Sequence, residues 1–401
     1  MTAGGFSETG LTRMQRVMEK HVTNGDIPGA VWAIHRRGET ITGAIGTFRL
    51  NGEGTRMARD TIFRVASITK PVTAAAAMML VEDGVLQMDD PVDRFLPELA
   101  NRKVLRSLEG PVDDTVPANR PITLRDLLTL RLGLGAIMVW PAKHPIQHAI
   151  AEAGFAPGPV MFHAGNQDEF MRRIGSLPLV HQPGEGWLYH TGLDIAGVLV
   201  SRAAGRSFGD FLNGRIFEPL GMKDTAFYVP KDKQDRMPTC YTRDPATGTF
   251  SEFDPSGGAG FRTPPAFEAG GGGLVSTVDD YLAFQRMMLG KGEIEGKRLL
   301  SRNTVEFMTT DLISDAQKAA NPFFFPDGGG WGLGMSVATR KVDVYINPGR
   351  FGWDGGFGTS AYADPKEEFA GVLMTQRMMD SPSAPRHFVD FWTQAYAAIG
   401  E

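Results

Sequence analysis

The sequence predicts an α/β fold, in which an antiparallel sheet flanked by helices lies beside a mainly helical second domain. Apolar runs typical of strands occur at residues 29–35 and 40–46 and return in the last third of the chain. Patterns between these two regions are mainly helical. Each sheet must bury its apolar face against another element, so we expect both ends of the chain to share one sheet. The middle then forms a second, helical lobe.

The elements follow from local patterns taken in chain order. A first helix is predicted over residues 11–24, where Met14, Met18 and Val22 fall on one stripe. Residues 36–39 supply the turn between the first two strands. An apolar helix is predicted over residues 71–83, ending before Gly84.

The remaining segments have clearer patterns toward the C-terminus. Residues 121–230 are mainly helical in pattern, whereas residues 138–175 within them match no single pattern. Glycine and proline density predicts a loop over residues 250–273. Further helices are predicted at residues 278–289 and 385–399, and further strands at residues 332–338, 359–363 and 369–375. We expect a sheet domain of residues 1–75 and 270–401, and a helical domain with insertion loops of residues 76–269.

Composition excludes several classes of protein. The chain has 401 residues, of which 42% are hydrophobic and 22% charged, with a formal net charge of −5. This is an ordinary globular profile, and without a Lys/Arg-rich run we expect no nucleic-acid partner. Cys240 is the single cysteine, which rules out an intrachain disulfide. The longest apolar stretch, residues 72–81, is too short to span a bilayer, so no membrane partner is expected.

The first ten residues lack both the basic and the apolar region of a signal peptide. We therefore expect a cytoplasmic protein.

The sharpest chemical feature is Ser67-Ile-Thr-Lys70 at the start of the apolar helix. Residues three apart on a helix share a face, so the hydroxyl and the amine are predicted to meet. A serine hydroxyl needs a base, and a lysine becomes one when desolvation lowers its pKa. The alternative is a helix-capping serine followed by a solvated lysine.

Two later segments carry groups that such a serine needs. Tyr189 lies in a Pro/Gly loop before an apolar helix, where its phenol can relay protons or simply pack the loop. The segment 352–360 is rich in glycine and precedes a strand. Its amides can face a developing oxyanion, or the segment can be only a hairpin turn.

In combination, three motifs resemble those of class C β-lactamase-like proteins, and most closely those of the family VIII carboxylesterases. They are Ser67-Ile-Thr-Lys70, Tyr189-His-Thr191 and Trp353-Asp-Gly-Gly356. Supporting stretches follow in the same order at residues 122–129, 219–226, 271–280 and 332–335. The resemblance extends over residues 10–398 and is specific as a set.

The resemblance implies a β-lactamase or penicillin-binding-protein-like fold with the site between the two domains. It implies that Ser67 is acylated, that Lys70 is its base and that Tyr189 relays protons. The amides of Ser67 and Gly356 would form the oxyanion hole. No metal or organic cofactor is implied, and the expected partner is a small-molecule ester, while the oligomeric state stays open.

Three positions depart from the lactamase pattern. Thr191 stands where the lactamases have an asparagine that contacts the substrate amide, and Trp353 stands where they have a lysine. The chain also has Leu130-Arg-Leu-Gly-Leu134 where relatives often have His-Thr-Ser-Gly-Leu. The first two changes argue against β-lactams and favour the esterase branch.

Other readings of the same residues stay open. The fold also supports an amide or β-lactam hydrolase, an acyltransferase, or a catalytically silent binding or scaffold homologue. Ser207 fits Gly-x-Ser-x-Gly, yet a helix precedes it where that motif needs a strand, so a turn or cap is predicted. His144 and His148 have Pro145 between them and no accompanying glutamate, which disfavours zinc.

Aromatic and sulfur-containing side chains of the unassigned segment are candidates for the acyl side of the cleft. Four residues belong to this set, namely Phe155, Met161, Phe162 and Trp140. Ordinary core packing is an equal alternative for them.

Overall fold

The computed structural model describes residues 1–155 and 165–400. The helices of this part are α1 (Glu8–Thr23), α2 (Thr69–Glu82), α3 (Leu124–Leu128), α4 (Pro145–Glu152), α5 (Gln167–Ser176), α6 (Thr191–Ala204), α7 (Phe208–Leu212), α8 (Glu218–Leu220), α9 (Val278–Leu289), α10 (Arg302–Met308), α11 (Asp315–Ala319) and α12 (Arg386–Ala397).

The strands of the same residues fall into one large sheet and four short pairs. They are β1 (Gly29–Arg36), β2 (Glu39–Gly46), β3 (Phe63–Arg64), β4 (Lys103–Leu105), β5 (Thr115–Pro117), β6 (Cys240–Arg243), β7 (Phe250–Asp254), β8 (Val275–Ser276), β9 (Glu293–Ile294), β10 (Lys297–Arg298), β11 (Gly329–Trp331), β12 (Ser336–Ala338), β13 (Phe351–Gly355), β14 (Thr359–Asp364) and β15 (Phe369–Thr375).

The large sheet joins the two ends of the chain. Its strand order is β11-β12-β13-β14-β15-β1-β2, and every neighbouring pair is antiparallel. The N-terminal strand β1 pairs with β15 in a register that sets Ala30 opposite Thr375 and Arg36 opposite Phe369. The predicted α/β class, with an antiparallel sheet flanked by helices, is confirmed.

Side chains alternate between the two faces of a sheet along each strand, and in β1 the residues on both faces are buried. Trp32 and Ile34 of β1 join a core cluster with residues of α1 and α12, whereas Val31 and Ala33 join the larger cluster on the opposite face. Helix α9 packs against β1, β14 and β15. Helix α2 packs against α6, and the turn of residues 66–68 that precedes α2 contacts β13 and β14.

Two local predictions were wrong. The predicted loop at 250–273 begins with strand β7, which pairs with β6. A long-range contact stabilises this strand, since the buried Arg64 donates Nε–H to Asp254 at 2.7 Å. The predicted strand at 332–338 is a turn followed by β12, because Gly334 has a φ of +72° and the amide of Gly332 bonds to the carbonyl of Met335.

The other long elements agree with their predicted patterns, and α9 does so to the residue. The unassigned stretch contains α4 and α5, while the candidates Met161 and Phe162 lie outside the described residues. The domain boundaries stay a prediction. Within the described ranges, we find no helix with the length and apolar character that crossing a membrane requires.

Candidate active site

Ser67 lies in a 3-10 turn, Ala66–Ile68, that leads directly into α2. Ala66 has a φ of +47°, a conformation that residues with a side chain rarely adopt. The turn brings the Ser67 hydroxyl to the same face as Lys70, with 3.0 Å between Oγ and Nζ. The spacing therefore produces the predicted meeting of hydroxyl and amine.

Lys70 is fully buried, and this burial has the largest effect on the pKa of its amine. Burial lowers the pKa of its amine to about 7, although the nearby carboxylate of Asp194 acts in the opposite direction. The amine also donates to the carbonyl oxygen of Gly271 at 2.6 Å and lies 3.2 Å from Nδ1 of His190. The solvated-lysine alternative is thus wrong.

Tyr189 lies between the nucleophile and the sheet. Its ring centroid is 4.6 Å from the Lys70 amine, and Tyr189 and Ser67 line the same cavity. Trp353 donates its indole N–H to the same hydroxyl oxygen at 2.6 Å. Burial raises the pKa of Tyr189 well above its usual range, so the phenol stays neutral at physiological pH.

Aromatic packing holds this phenol in place. Phe324 stacks on the Tyr189 ring with centroids 4.7 Å apart, and Trp187 stacks at 5.9 Å. Trp331 meets Trp353 edge-on at 4.8 Å. These contacts restrict the ring that carries the hydroxyl.

The glycine-rich segment forms the hairpin between β13 and β14, and it passes close to the serine turn. A Cβ atom at Gly355 would lie 2.2 Å from the carbonyl oxygen of Val65, so only glycine permits this approach. The hydroxyl of Thr359 donates to the same carbonyl at 2.8 Å. The next residue, Gly356, consequently lies at the cavity that Ser67 lines.

One cavity of about 420 Å³ brings together the residues predicted for the site. Predicted residues that line it are Ser67, Phe155, Tyr189, Thr191, Trp353, Gly356 and Trp140. Lys70 lies behind Ser67, buried from solvent. Trp140 is 59% exposed, which makes it part of the outer wall rather than of the core.

Two polar residues of the site were not predicted from the sequence. His190 and Asp194 also line the cavity, and His190 Nε2 lies 2.9 Å from the Asp194 carboxylate. A signal was present, because the two are four residues apart and His190 directly follows Tyr189. The sequence pattern does not indicate that the fold turns His190 toward Lys70.

The weaker candidates have structural explanations. Ser207 caps α7, where its hydroxyl accepts the amide of Asp210 at 3.0 Å. Burial raises the pKa of the Cys240 thiol to about 12, which leaves it a thiol. His144 precedes α4, while His148 lines the cavity. No cluster of three or more potential metal ligands occurs within residues 1–155 and 165–400.

Comparisons with known proteins show related chains of similar length and the same fold. The chain is 39% identical over 366 residues to protein Rv1367c of Mycobacterium tuberculosis, covering 89% of this chain and 87% of that protein. It is 30% identical to a lovastatin esterase of Penicillium rubens, covering 91% and 93%. The solved structure of EstCE1, described as a hydrolase with promiscuous acyltransferase activity, shares the fold with a TM-score of 0.80 at 23% identity, covering 97% and 99%.

The predicted resemblance and the β-lactamase-like fold are thereby confirmed. A model of the family described as Beta-lactamase matches residues 14–390, nearly the whole chain. The chain belongs to the beta-lactamase family.

Proposed function

We propose that this protein is a serine carboxylic ester hydrolase that acts on short- to medium-chain acyl esters through an acyl-enzyme. One observation carries the proposal: the Ser67 hydroxyl lies 3.0 Å from a fully buried lysine amine. Because the pKa of Lys70 is lowered to about 7, a large fraction of that amine is unprotonated at neutral pH. A neutral amine within hydrogen-bond reach is the base that a serine nucleophile requires.

In the proposed acylation, Lys70 takes the proton of the Ser67 hydroxyl while Oγ bonds to the ester carbonyl carbon. The carbonyl π electrons move to its oxygen, which accepts hydrogen bonds from the amides of Ser67 and Gly356. As the carbonyl re-forms, the bond to the alcohol oxygen breaks. That oxygen takes a proton from Tyr189, and the Lys70 ammonium returns a proton to the phenol.

In the proposed deacylation, the same groups act with water as the nucleophile. The attacking water gives a proton to Tyr189, which passes its own proton to the neutral Lys70. When the bond between the acyl carbon and Ser67 Oγ breaks, the Lys70 ammonium returns this proton to Oγ. No cofactor enters either step. An alcohol in place of water would make the reaction an acyl transfer, so the acceptor alone separates the two activities.

The charges on the cavity wall favour a neutral ester over a β-lactam as the substrate. Described residues on the wall include no lysine or arginine, but they include Asp194, Asp354 and Asp380. A β-lactam carboxylate would find no cation there and would lose several kcal/mol of interaction. The apolar part of the wall suits an acyl chain, and its buried members are Leu134, Phe170, Ile174 and Leu177.

The relatives lend support of a different kind. The lovastatin esterase carries an ester-cleaving activity in its name, and its match spans nearly both chains. We extend the general activity, and not its substrate, to this protein.

We expect kcat/KM for p-nitrophenyl butyrate to exceed that for nitrocefin by about 10³-fold or more, because the lactam carboxylate lacks a partner. Steady-state hydrolysis of both compounds by one preparation measures this ratio. The matched control is a β-lactam whose carboxylate is esterified, which should react faster than its free acid. Comparable values for nitrocefin and the ester would refute the substrate assignment.

Replacing Tyr189 by phenylalanine should lower kcat by roughly 10²-fold, since a positioned proton donor contributes about that much. The ring stacking with Phe324 should persist while the Trp353 indole N–H loses its acceptor, so the variant should stay folded with a melting temperature lower by about a few degrees. Paired kinetics and thermal unfolding test both statements. Unchanged kinetics in a folded variant would reduce Tyr189 to a packing residue.

A further inference from the structure

Four groups form a closed ring of contacts around the base of the proposed reaction. The Lys70 amine touches the Gly271 carbonyl oxygen at 2.6 Å and His190 Nδ1 at 3.2 Å. His190 Nε2 lies 2.9 Å from Asp194 Oδ2. The other carboxylate oxygen, Oδ1, accepts the amide of Gly271 at 2.7 Å, which closes the ring.

The contact with Asp194 decides which nitrogen of His190 carries hydrogen. Although burial of Asp194 acts to raise its pKa, the contacts of its carboxylate with His190, with the nearby Lys70 amine and with the Gly271 amide keep that pKa below its usual value. Asp194 is therefore a carboxylate and can only accept hydrogen bonds. Nε2 must then carry the hydrogen, and Nδ1 presents a lone pair to Lys70.

The donors and the lone pair of the Lys70 amine can be assigned to its contacts in the same way. A neutral lysine amine has two N–H bonds and one lone pair. The Gly271 oxygen and His190 Nδ1 are both acceptors, so each takes one N–H. The third contact of the amine is Ser67 Oγ, and the lone pair is left to face it.

We propose that His190 and Asp194 are positioning residues that aim the lone pair of Lys70 at the Ser67 hydroxyl. This inference rests on the proposed Ser67–Lys70 chemistry. It assigns to the pair a role in the orientation of the base, distinct from any contact with the substrate.

The backbone supports this role independently. His190 has a φ of +86°, which is unfavourable for a bulky residue and persists only where its surroundings impose it. A Cβ atom at Gly271 would lie 2.8 Å from Asp194 Oδ1 and 2.9 Å from His190 Cε1. The ring thus requires a strained histidine and a glycine at two of its four positions.

The critical variant is Asp194→Asn. The side-chain carbonyl oxygen of the new asparagine can still accept the hydrogen bond of the Gly271 amide. Its NH₂ group then faces His190 Nε2. Nε2 must then accept, so the hydrogen moves to Nδ1 and is donated to the Lys70 lone pair. The base is diverted from Ser67. We expect the rate of Ser67 labelling by a fluorophosphonate to fall by about 10²-fold.

The double variant Asp194→Asn/His190→Ala separates orientation from structure. Removal of the misdirected donor should return the labelling rate to that of His190→Ala alone, about tenfold below wild type. His190→Asn retains an acceptor near the position of Nδ1 and should exceed His190→Ala. The matched control is Asp280→Asn, a buried aspartate that accepts the amide of Asp224 at 2.7 Å away from the cavity.

The pH dependence of labelling provides a second readout. The groups that face the Lys70 amine are His190, Asp194 and the ring of Tyr189. Since the Asp194 charge raises the pKa of Lys70, its removal should move the midpoint of the rising limb to lower pH. Asp280→Asn should leave the midpoint where it is.

Labelling does not depend on the identity of the substrate, so the two proposals can fail separately. Recovery in the double variant with a lower midpoint supports the inference, even if no ester is turned over. A double variant that is slower than Asp194→Asn, or an unmoved midpoint in folded proteins, overturns it. If Asp194→Asn does not fold, equal rates for His190→Asn and His190→Ala overturn it instead.

Discussion

Replacing Ser67 by alanine is expected to lower ester hydrolysis by at least about 10⁴-fold, because the proposed reaction has no other nucleophile. The change removes one oxygen beside the Lys70 amine, so the fold should persist. Steady-state rates with p-nitrophenyl butyrate, together with circular dichroism, measure both effects.

Ser207→Ala is the matched control for this experiment. Ser207 lies in the sequence pattern better known from other esterases, yet its hydroxyl caps α7. Its loss should cost about 1 kcal/mol of unfolding free energy and leave turnover intact. Activity that survives in Ser67→Ala and disappears in Ser207→Ala would overturn the site and the mechanism together.

Replacing Lys70 by methionine should reduce kcat/KM by about 10³-fold. Methionine has a similar length and no amine, so the buried space stays filled while the base is lost. The carbonyl of Gly271 loses its donor, which lowers stability by about 1–3 kcal/mol. A variant with near wild-type turnover at any pH would exclude Lys70 as the base.

The wild-type pH profile tests the same residue without mutation. Lys70 accepts a proton only when it is neutral, and burial lowers its pKa to about 7. Below pH 7 the amine is increasingly protonated, so kcat/KM should fall with falling pH and level off above pH 7. The raised pKa of Tyr189 keeps this phenol neutral throughout. A flat profile between pH 5 and 9 would contradict the assignment.

The fold was largely predictable because its main elements carry local periodicity. Helix α9 and strands β1, β2 and β15 have clear patterns, and strands at both chain ends suggested a shared sheet. Strand β7 was not predictable in this way. It is held by pairing with β6 and by an ion pair between Asp254 and Arg64, which lies far away in the sequence.

The contacts of the site were predictable where both residues belong to one sequence motif. Ser67 and Lys70 are neighbours on one helical turn, so their contact follows from spacing. The contact of His190 with Lys70 depends on a positive φ, and the contact of Phe324 with Tyr189 depends on tertiary packing. Neither leaves a periodic signal in the sequence.

Ser67 is proposed to carry the acyl group, and covalent labelling tests this role most directly. The protein is treated with a fluorophosphonate, its intact mass is measured, and the modified peptide is identified by mass spectrometry. We predict one added phosphonyl group per chain, located on Ser67, present in Ser207→Ala and absent in Ser67→Ala. A label on Ser207 or another residue, or a folded wild-type protein that takes up no label, would contradict the account.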